Sequence, residues 1–302
     1  MNATNDAWNE FWARQRAGRG VGCLPARWGS VFAVLEGHWR SLALDLAPAA
    51  KVLDLATGDA RVLHWLGLAN PQLERTGIDL CPNLPQGPPG IDIRAGVAME
   101  RLPFEDLAFD AIVSQFGVEY GDTARVAAEV ARVARDDARI AFIVHRGDGA
   151  ILEHNVARAE QIAWLLDELD LIERTKAHLA RENRPWPAAV RTVAEVVREG
   201  RARFGEHSAG WEIPEAVRRS LIMGAEAGDS IEGVCALLDN IAAQACNERD
   251  RIASLKRASA TADARDTFLG AFASCGLTLV SGETLKDAAG RVFAEMLRFK
   301  RG

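Results

Sequence analysis

Two carboxylates placed at the ends of strand-like runs are the residues most suited to bind a ligand. Asp54 lies near the end of an apolar run in KVLDLATGDARVLHW (51–65), just before a small-residue turn and a helix-like pattern. Asp79 stands 25 residues later, in GIDL. A turn that opens a helix can offer backbone N–H groups to an anionic ligand end. A carboxylate at the next strand end can accept two hydrogen bonds from a ribose cis-diol. The pair therefore suits a ligand with an amino-acid end and a nucleoside end. A dinucleotide fits less well, because its pyrophosphate calls for G-x-G-x-x-G. Ala56-Thr57-Gly58-Asp59-Ala60-Arg61 keeps a single glycine and puts an acid beside the helix start.

Residues that could move a proton lie further along. SQFGVEY (114–120) leaves a strand-like run and carries Glu119 and Tyr120, while His145 ends RIAFIVH (139–145). Glu119 and His145 are the candidate general bases, since a positioned carboxylate or imidazole can deprotonate a nucleophile. His154 follows shortly, at the start of a helical stretch, and is a candidate substrate contact with Tyr120 and Trp12. Trp8, Trp12 and Trp28 could line a flat apolar pocket or staple an N-terminal helix to a sheet; both readings stand. His38, His64, His178 and His207 read as surface or packing residues. No histidine pair has metal-ligand spacing, so no metal is expected.

These residues need elements to hold them. KVLDLA, RTGIDL, IDIRAG, FDAIVSQ and RIAFIVH are short, apolar or β-branched, and bounded by turn residues. Helix-like patterns fall between the first two and between the last two, the second opening at Asp122 as N-cap. This alternation predicts a parallel sheet covered on both faces. From Ile151 to about Ala260 the pattern is helical, and one amphipathic stripe joins Ile162, Leu165, Leu166, Leu169 and Ile172, before RENRPWP (181–187) breaks the run. The α/β pattern then returns as a helix closed by Gly276, the strand LTLVSG and a final strand, RVFAEMLRFKR. The expected organisation is an N-terminal helical cap (1–45), an α/β core (46–150), a helical insertion (151–260) and a closing helix and hairpin (261–302). WNEFWARQRAGRG reads as a helix followed by a basic turn.

Composition narrows the classes. Apolar residues make up 48% and charged residues 26%, as in ordinary globular proteins. A net charge of −6 counts against a nucleic-acid partner. Five scattered cysteines without a CxxC pair argue for reduced thiols rather than a disulfide framework. No signal core or membrane-length apolar run is present, so a cytoplasmic protein without a membrane partner is expected. A homodimer is compatible with the sequence, which does not fix the oligomeric state.

VLDLATGDAR, GIDL, AGVAMERLPFEDLAFDAIVSQFGVEY and ARIAFIVHR together resemble the successive motifs of class I S-adenosylmethionine-dependent methyltransferases. The resemblance covers roughly residues 45–147, and the closing strand pair is similar to the family's terminal hairpin. It implies a Rossmann-like α/β fold: a seven-stranded, mostly parallel sheet with one antiparallel strand, helices on both faces and a large helical insertion after the fifth strand. It implies S-adenosyl-L-methionine as cofactor and S-adenosyl-L-homocysteine as product. Asp54, Ala56, Thr57 and Gly58 would form the methionine-end loop. Asp79 and Leu80 would lie at the ribose, Ala98 and Met99 at the adenine, and Gln115 and Phe116 beside the cofactor. Two departures stand out: Ala56 and Ala60 replace glycines of the loop, and Val97 replaces a frequent aspartate, leaving Glu100 or backbone to meet the adenine amino group. The implied activity is methyl transfer by in-line displacement to O, N or C of a small, partly apolar molecule. A non-catalytic cofactor-binding or scaffolding protein and a methylase of RNA or protein are the alternatives.

Overall fold

The computed structural model describes residues 3–17, 28–181 and 184–302. The basic turn at 18–20, part of the break at 181–187 and Cys23 lie outside the described residues. The chain divides into two compact units. One joins residues Met1–Glu153 to Ala253–Gly302, and the other is His154–Ile252.

The first unit is built on a seven-stranded sheet. Its strands are β1 (Lys51–Leu55), β2 (Glu74–Asp79), β3 (Ile91–Ala95), β4 (Phe109–Gln115), β5 (Ala134–His145), β6 (Leu277–Lys286) and β7 (Val292–Arg301). Their order is β3-β2-β1-β4-β5-β7-β6. β1 to β5 pair in parallel, and β7 runs antiparallel to both β5 and β6. β5 begins five residues earlier than RIAFIVH predicts. Its first part pairs Phe109 with Ala134 across a register irregularity, and its exposed residues there carry no apolar signal.

Buried apolar strands need cover on both faces, and the flanking helices supply apolar stripes. In α4 (Thr123–Val133), Val126, Ala127, Val130 and Val133 are buried on one face. Asp122 caps that helix, accepting from the N–H groups of Ala124 and Arg125, each at 3.2 Å. α10 (Arg265–Ser274) places Phe268 and Phe272 in the same core as Phe142, Leu297 and Phe299. Gly276 follows it at φ 78°, a left-handed stop that glycine adopts without strain. On the N-terminal side lie α1 (Ala3–Arg16), α2 (Gly29–Leu44) and α3 (Arg61–Ala69).

The strand order reverses beside β1, with β2 on one side and β4 on the other. Ligand crevices of open α/β sheets form there, outside the carboxyl ends of the strands. The turns after β1, β2, β4 and β5 all leave from that end.

The helical unit contains most of α5 (Ala150–Ala163), then α6 (Leu171–Leu179), α7 (Pro187–Phe204), α8 (Ala209–Ala227) and most of α9 (Ile231–Asp263). Trp164, Leu165, Leu179, Trp186, Val193, Val217, Leu221, Val234 and Leu238 form its core. Half-buried Arg158 ties three helices together, at 2.6 Å from Glu248 and 3.0 Å from Glu212. The stripe from Ile162 to Ile172 is not one helix. A π-helical stretch, Trp164–Glu168, interrupts it, with Leu169 N–H on the Trp164 carbonyl and Asp170 at φ 47°. Apolar spacing is preserved through the break, which is why the sequence pattern does not show it.

Ala60, the residue before α3, is left-handed at φ 57° with no side-chain cap. A non-glycine residue there carries roughly 1–3 kcal/mol of strain. Ala60→Gly should therefore stabilise the protein by about 1 kcal/mol, read as a shifted midpoint in urea unfolding with an unchanged slope. An unmoved or lowered midpoint would contradict this reading of the turn.

Candidate functional site

The turn after β1 is tightly wound. Ala56, Gly58 and Ala60 all have positive φ, at 56°, 53° and 57°. Both alanines hold conformations that glycine adopts freely. Several of the turn's amide groups are already engaged. Thr57 N–H meets the Ile78 carbonyl at 2.8 Å, Gly58 N–H meets Asp79 Oδ2 at 3.0 Å, and Ala60 N–H meets the Thr57 carbonyl. Asp59, the acid beside the helix start, is paired with Arg61 at 2.7 Å.

Asp79 is 7% exposed and is held by backbone on both oxygens. Oδ2 accepts from Gly58, and Oδ1 accepts from Cys81 N–H at 2.9 Å. The Cys81 thiol also hydrogen-bonds this carboxylate, so of its four acceptor positions one is left for a ligand. Burial raises the Asp79 pKa, while the two backbone N–H groups and the Cys81 thiol pull it back. Burial, with Asp79 adjacent, also pushes the Cys81 thiol up, which keeps it protonated.

Asp54 lies deeper, 1% exposed, and accepts from Thr57 Oγ1 at 2.7 Å. Burial, opposed by that hydrogen bond and reinforced by the charges of Asp79 and Asp59, pushes its pKa up to about 8. Between about pH 4 and pH 8 the folded protein keeps a proton on Asp54 that the unfolded chain gives up. Stability contributed by that proton is present at low pH and is lost as pH rises through about 8. Asp54→Asn removes this dependence. Relative to wild type it should gain about 2 kcal/mol or more between pH 5 and pH 8, against a limit of about 1.4 kcal/mol per pH unit. Denaturant titrations at pH 5 and pH 8 test this, and a difference that does not change with pH would refute it.

The turn after β4 packs directly on the turn after β1. A Cβ on Gly117 would lie 2.7 Å from Ala56 Cβ and 3.0 Å from the Leu55 carbonyl. Only glycine allows this approach, which places Phe116, Glu119 and Tyr120 next to the Asp54 loop. Phe116 stacks on His145, with ring centroids 4.1 Å apart and planes at 27°. Glu119 is 1% exposed, and its Oε1 accepts both the His145 backbone N–H at 3.0 Å and the ring Nδ1 at 2.9 Å. Its Oε2 is buried without a hydrogen-bond partner. The two candidate bases, chosen separately from the sequence, thus form one pair.

Other candidates fall in different places. Gln115 Oε1 accepts from Trp39 Nε1 at 2.8 Å, which ties this side chain to α2. Leu80 is 48% exposed. Ala98 and Met99 lie in the turn after β3, where Val97 N–H donates to the Asp79 carbonyl at 2.9 Å. Glu100 Oε1 accepts from Asp122 N–H at 3.1 Å and helps to seat α4. Trp12 packs over the Asp54 loop: a Cβ on Gly58 would lie 2.5 Å from its ring. Trp8 takes the position beside Tyr120, at 5.9 Å between centroids. His154 is the first residue of the helical unit. Phe11, Cys81 and Leu84 join Trp12 in a small apolar cluster that the sequence reading did not identify. The spacing of Trp8, Phe11 and Trp12 along one helical face was the available signal.

Among the described residues, no group of histidines, cysteines or acids could hold a metal ion. Nor is any helix there long and apolar enough to cross a membrane. Cys81, Cys235, Cys246 and Cys275 are free thiols.

Residues 53–142 match the family model described as a methyltransferase domain. The matched segment is a methyltransferase domain. It runs from β1 into β5 and holds every turn of the crevice except the one that follows His145. The chain is similar to the demethylmenaquinone methyltransferase of Thermotoga maritima, with 34% identity over 122 residues. That alignment covers 36% of this chain and 51% of the relative, so the chain spans about half the length of the curated relative it matches. Among solved structures it is similar to a geranyl diphosphate C-methyltransferase from Streptomyces coelicolor A3(2), at 11% identity, 100% and 99% coverage of the two chains and a TM-score of 0.46. A methyltransferase from Aquifex aeolicus aligns at 19% identity over 37% of this chain and 64% of that one, with a TM-score of 0.32.

The residues present fit S-adenosylmethionine, the cofactor that the sequence resemblance implies. Asp79 keeps an acceptor position for a ribose hydroxyl. The Asp54 turn follows a glycine-like path despite its alanines.

Proposed function

We propose that the protein is a methyltransferase that moves a methyl group from S-adenosylmethionine to a small, partly apolar molecule. The observation that carries this reading is the Asp79 carboxylate, aimed by two backbone N–H groups at a strand end beside the switch point. In this reading Asp79 holds the ribose, while Asp54, Ala56, Thr57 and Gly58 form the methionine-end loop. Ala98 and Met99 flank the adenine, and Phe116 lies beside the reacting end. Gln115 would then act by fixing α2 through Trp39, and exposed Leu80 through its backbone.

When bound, the cofactor supplies a methyl group already activated by its sulfonium. The chain then has to align the acceptor and exclude water, and orientation of this kind can be worth ~7–11 kcal/mol. Trp8, Phe11, Trp12, Tyr120 and Phe116 give the crevice an aromatic wall suited to a flat or apolar acceptor. The helical unit enters the chain directly after β5, and its Leu-, Ile- and Trp-rich composition supports a small-molecule acceptor. The name of the Thermotoga maritima relative points the same way.

Calorimetry with S-adenosylhomocysteine tests the cofactor half of this reading. Incubation with labelled S-adenosylmethionine and a panel of phenols, quinols, alcohols, tertiary amines, pyridines and thioethers, followed by mass spectrometry, tests the other half. Binding together with transfer to a panel member supports the proposal. Binding with transfer only to RNA or protein fractions would replace the small-molecule reading. Tight binding without any transfer favours a cofactor-binding protein, and absence of binding overturns the reading.

A further inference from the structure

We infer that His145 is the catalytic base of this site and that Glu119 is its positioning residue, so that the methyl acceptor is a hydroxyl or comparable group that must lose a proton. This rests on the methyltransferase reading and narrows its acceptor class. The hydrogen bonds fix the direction of the pair. Glu119 Oε1 already accepts the His145 backbone N–H, which can only donate, and it faces the ring Nδ1 at 2.9 Å. A carboxylate oxygen in that position makes Nδ1 the protonated nitrogen of the neutral ring. The lone pair is then on Nε2, and no hydrogen bond within the described residues engages that atom.

The surroundings hold this arrangement still. Phe116 stacks on one face of the imidazole and Tyr120 approaches it edge-on at 6.1 Å. The His145 side chain keeps 8% exposure, whereas the Glu119 side chain has none. The ring is therefore reachable from the crevice, and its carboxylate partner is not. Gly117 presses the same turn onto Ala56, so the pair belongs to the wall of the cofactor loop rather than to a separate cluster.

The acceptor's O–H bond breaks, and its proton goes to His145 Nε2. The oxygen electron pair forms the new C–O bond to the methyl group, and the pair of the broken C–S bond stays on sulfur. The positive charge that was on the sulfonium ends on the imidazolium, opposite Glu119. The proton then leaves His145 for solvent. An acceptor with a ready lone pair, such as a tertiary amine or a thioether, has no proton to give and gains nothing from the pair.

Nitrogen NMR of the histidine-labelled full chain in alkaline buffer, with and without S-adenosylhomocysteine, reads the tautomer directly. His145→Gln assigns the resonance. A protonated Nδ1 and a bare Nε2 are expected, with the preference lost in Glu119→Gln. In the acceptor panel, transfer should be confined to proton-bearing members. It should fall roughly 100-fold or more in His145→Ala, within the ~10²–10⁴-fold range of a positioned base, and recover in part with added imidazole. Should His145→Ala fail to fold, His145→Gln and the NMR measurement on wild type carry the test. A protonated Nε2, transfer to tertiary amines or thioethers, or full activity in folded His145→Ala would each overturn the inference. If S-adenosylhomocysteine does not bind the wild type, the methyltransferase reading fails instead, which the calorimetry shows separately.

Discussion

Asp79→Ala will weaken S-adenosylhomocysteine binding roughly 10- to 150-fold, which corresponds to the ~1.5–3 kcal/mol of a charge-assisted hydrogen-bond acceptor. The size follows from how Asp79 is held. Gly58 and Cys81 N–H groups fix both oxygens, so the fork is already in place before the ligand arrives. Alanine removes the ribose acceptors and also frees the Gly58 and Cys81 amides. The substitution therefore loosens the turn after β1 as well. Asp79→Asn separates the two effects, because its amide oxygen can still serve one of the two backbone donors. It should lose less affinity than alanine and keep more of the wild-type stability. Calorimetry on both variants, after circular dichroism shows that they are folded, gives the result. Unchanged affinity in folded Asp79→Ala would remove Asp79 from the cofactor site.

Ala56→Val will abolish measurable cofactor binding, a loss of at least 100-fold, and will cost roughly 1–3 kcal/mol of stability. Ala56 sits at φ 56°, where a β-branched residue is strongly disfavoured. Its Cβ already faces Gly117, at a point where a Cβ would stand 2.7 Å away. Two added methyl groups must therefore push the β1 and β4 turns apart, which displaces Gly58 on one side and Phe116 on the other. Ala56→Gly is the control: it should bind at least as well as wild type and be somewhat more stable. Equal binding by the valine variant would mean that this turn is not the methionine end of the site.

The fold was legible where local pattern and burial coincide. β1 and β4 are buried along almost their whole length, so their apolar runs mark them directly. Asp122 before the Val126–Val130–Val133 stripe marked the start of α4. The pattern failed where geometry leaves spacing untouched. The π-helical stretch at Trp164–Glu168 keeps the apolar stripe in phase, and the first part of β5 is exposed enough to resemble a loop. At the site, the strand-end positions of Asp54, Asp79 and His145 were readable, because parallel strands present their carboxyl ends together. The partnerships were not. Nothing in the sequence shows that Glu119 turns back onto His145, 26 residues away, or that Gln115 is taken by Trp39, 76 residues away. Such contacts depend on which strands become neighbours. The positive φ of Ala56 and Ala60 was hidden for a related reason, since alanine gives no sign of a conformation that glycine would have announced.

The position of β7 between β5 and β6 also sets the order in which the sheet can be completed. β5 gains its second neighbour only through pairs such as Ile140 with Phe299 and Phe142 with Leu297. The whole stretch from His145 to Val292 must be synthesised first, which at typical translation rates of ~5–20 residues per second takes roughly 7–30 s. During that interval β1 to β5 can assemble, but Ile140, Phe142 and Val144 lie on an open strand edge. An apolar edge of this kind invites pairing with other chains. The helical unit, whose core comes from a continuous stretch of chain, can fold meanwhile. Yield of the protein in cells should then depend on how quickly its last strand is delivered, more than on the stability of the finished sheet.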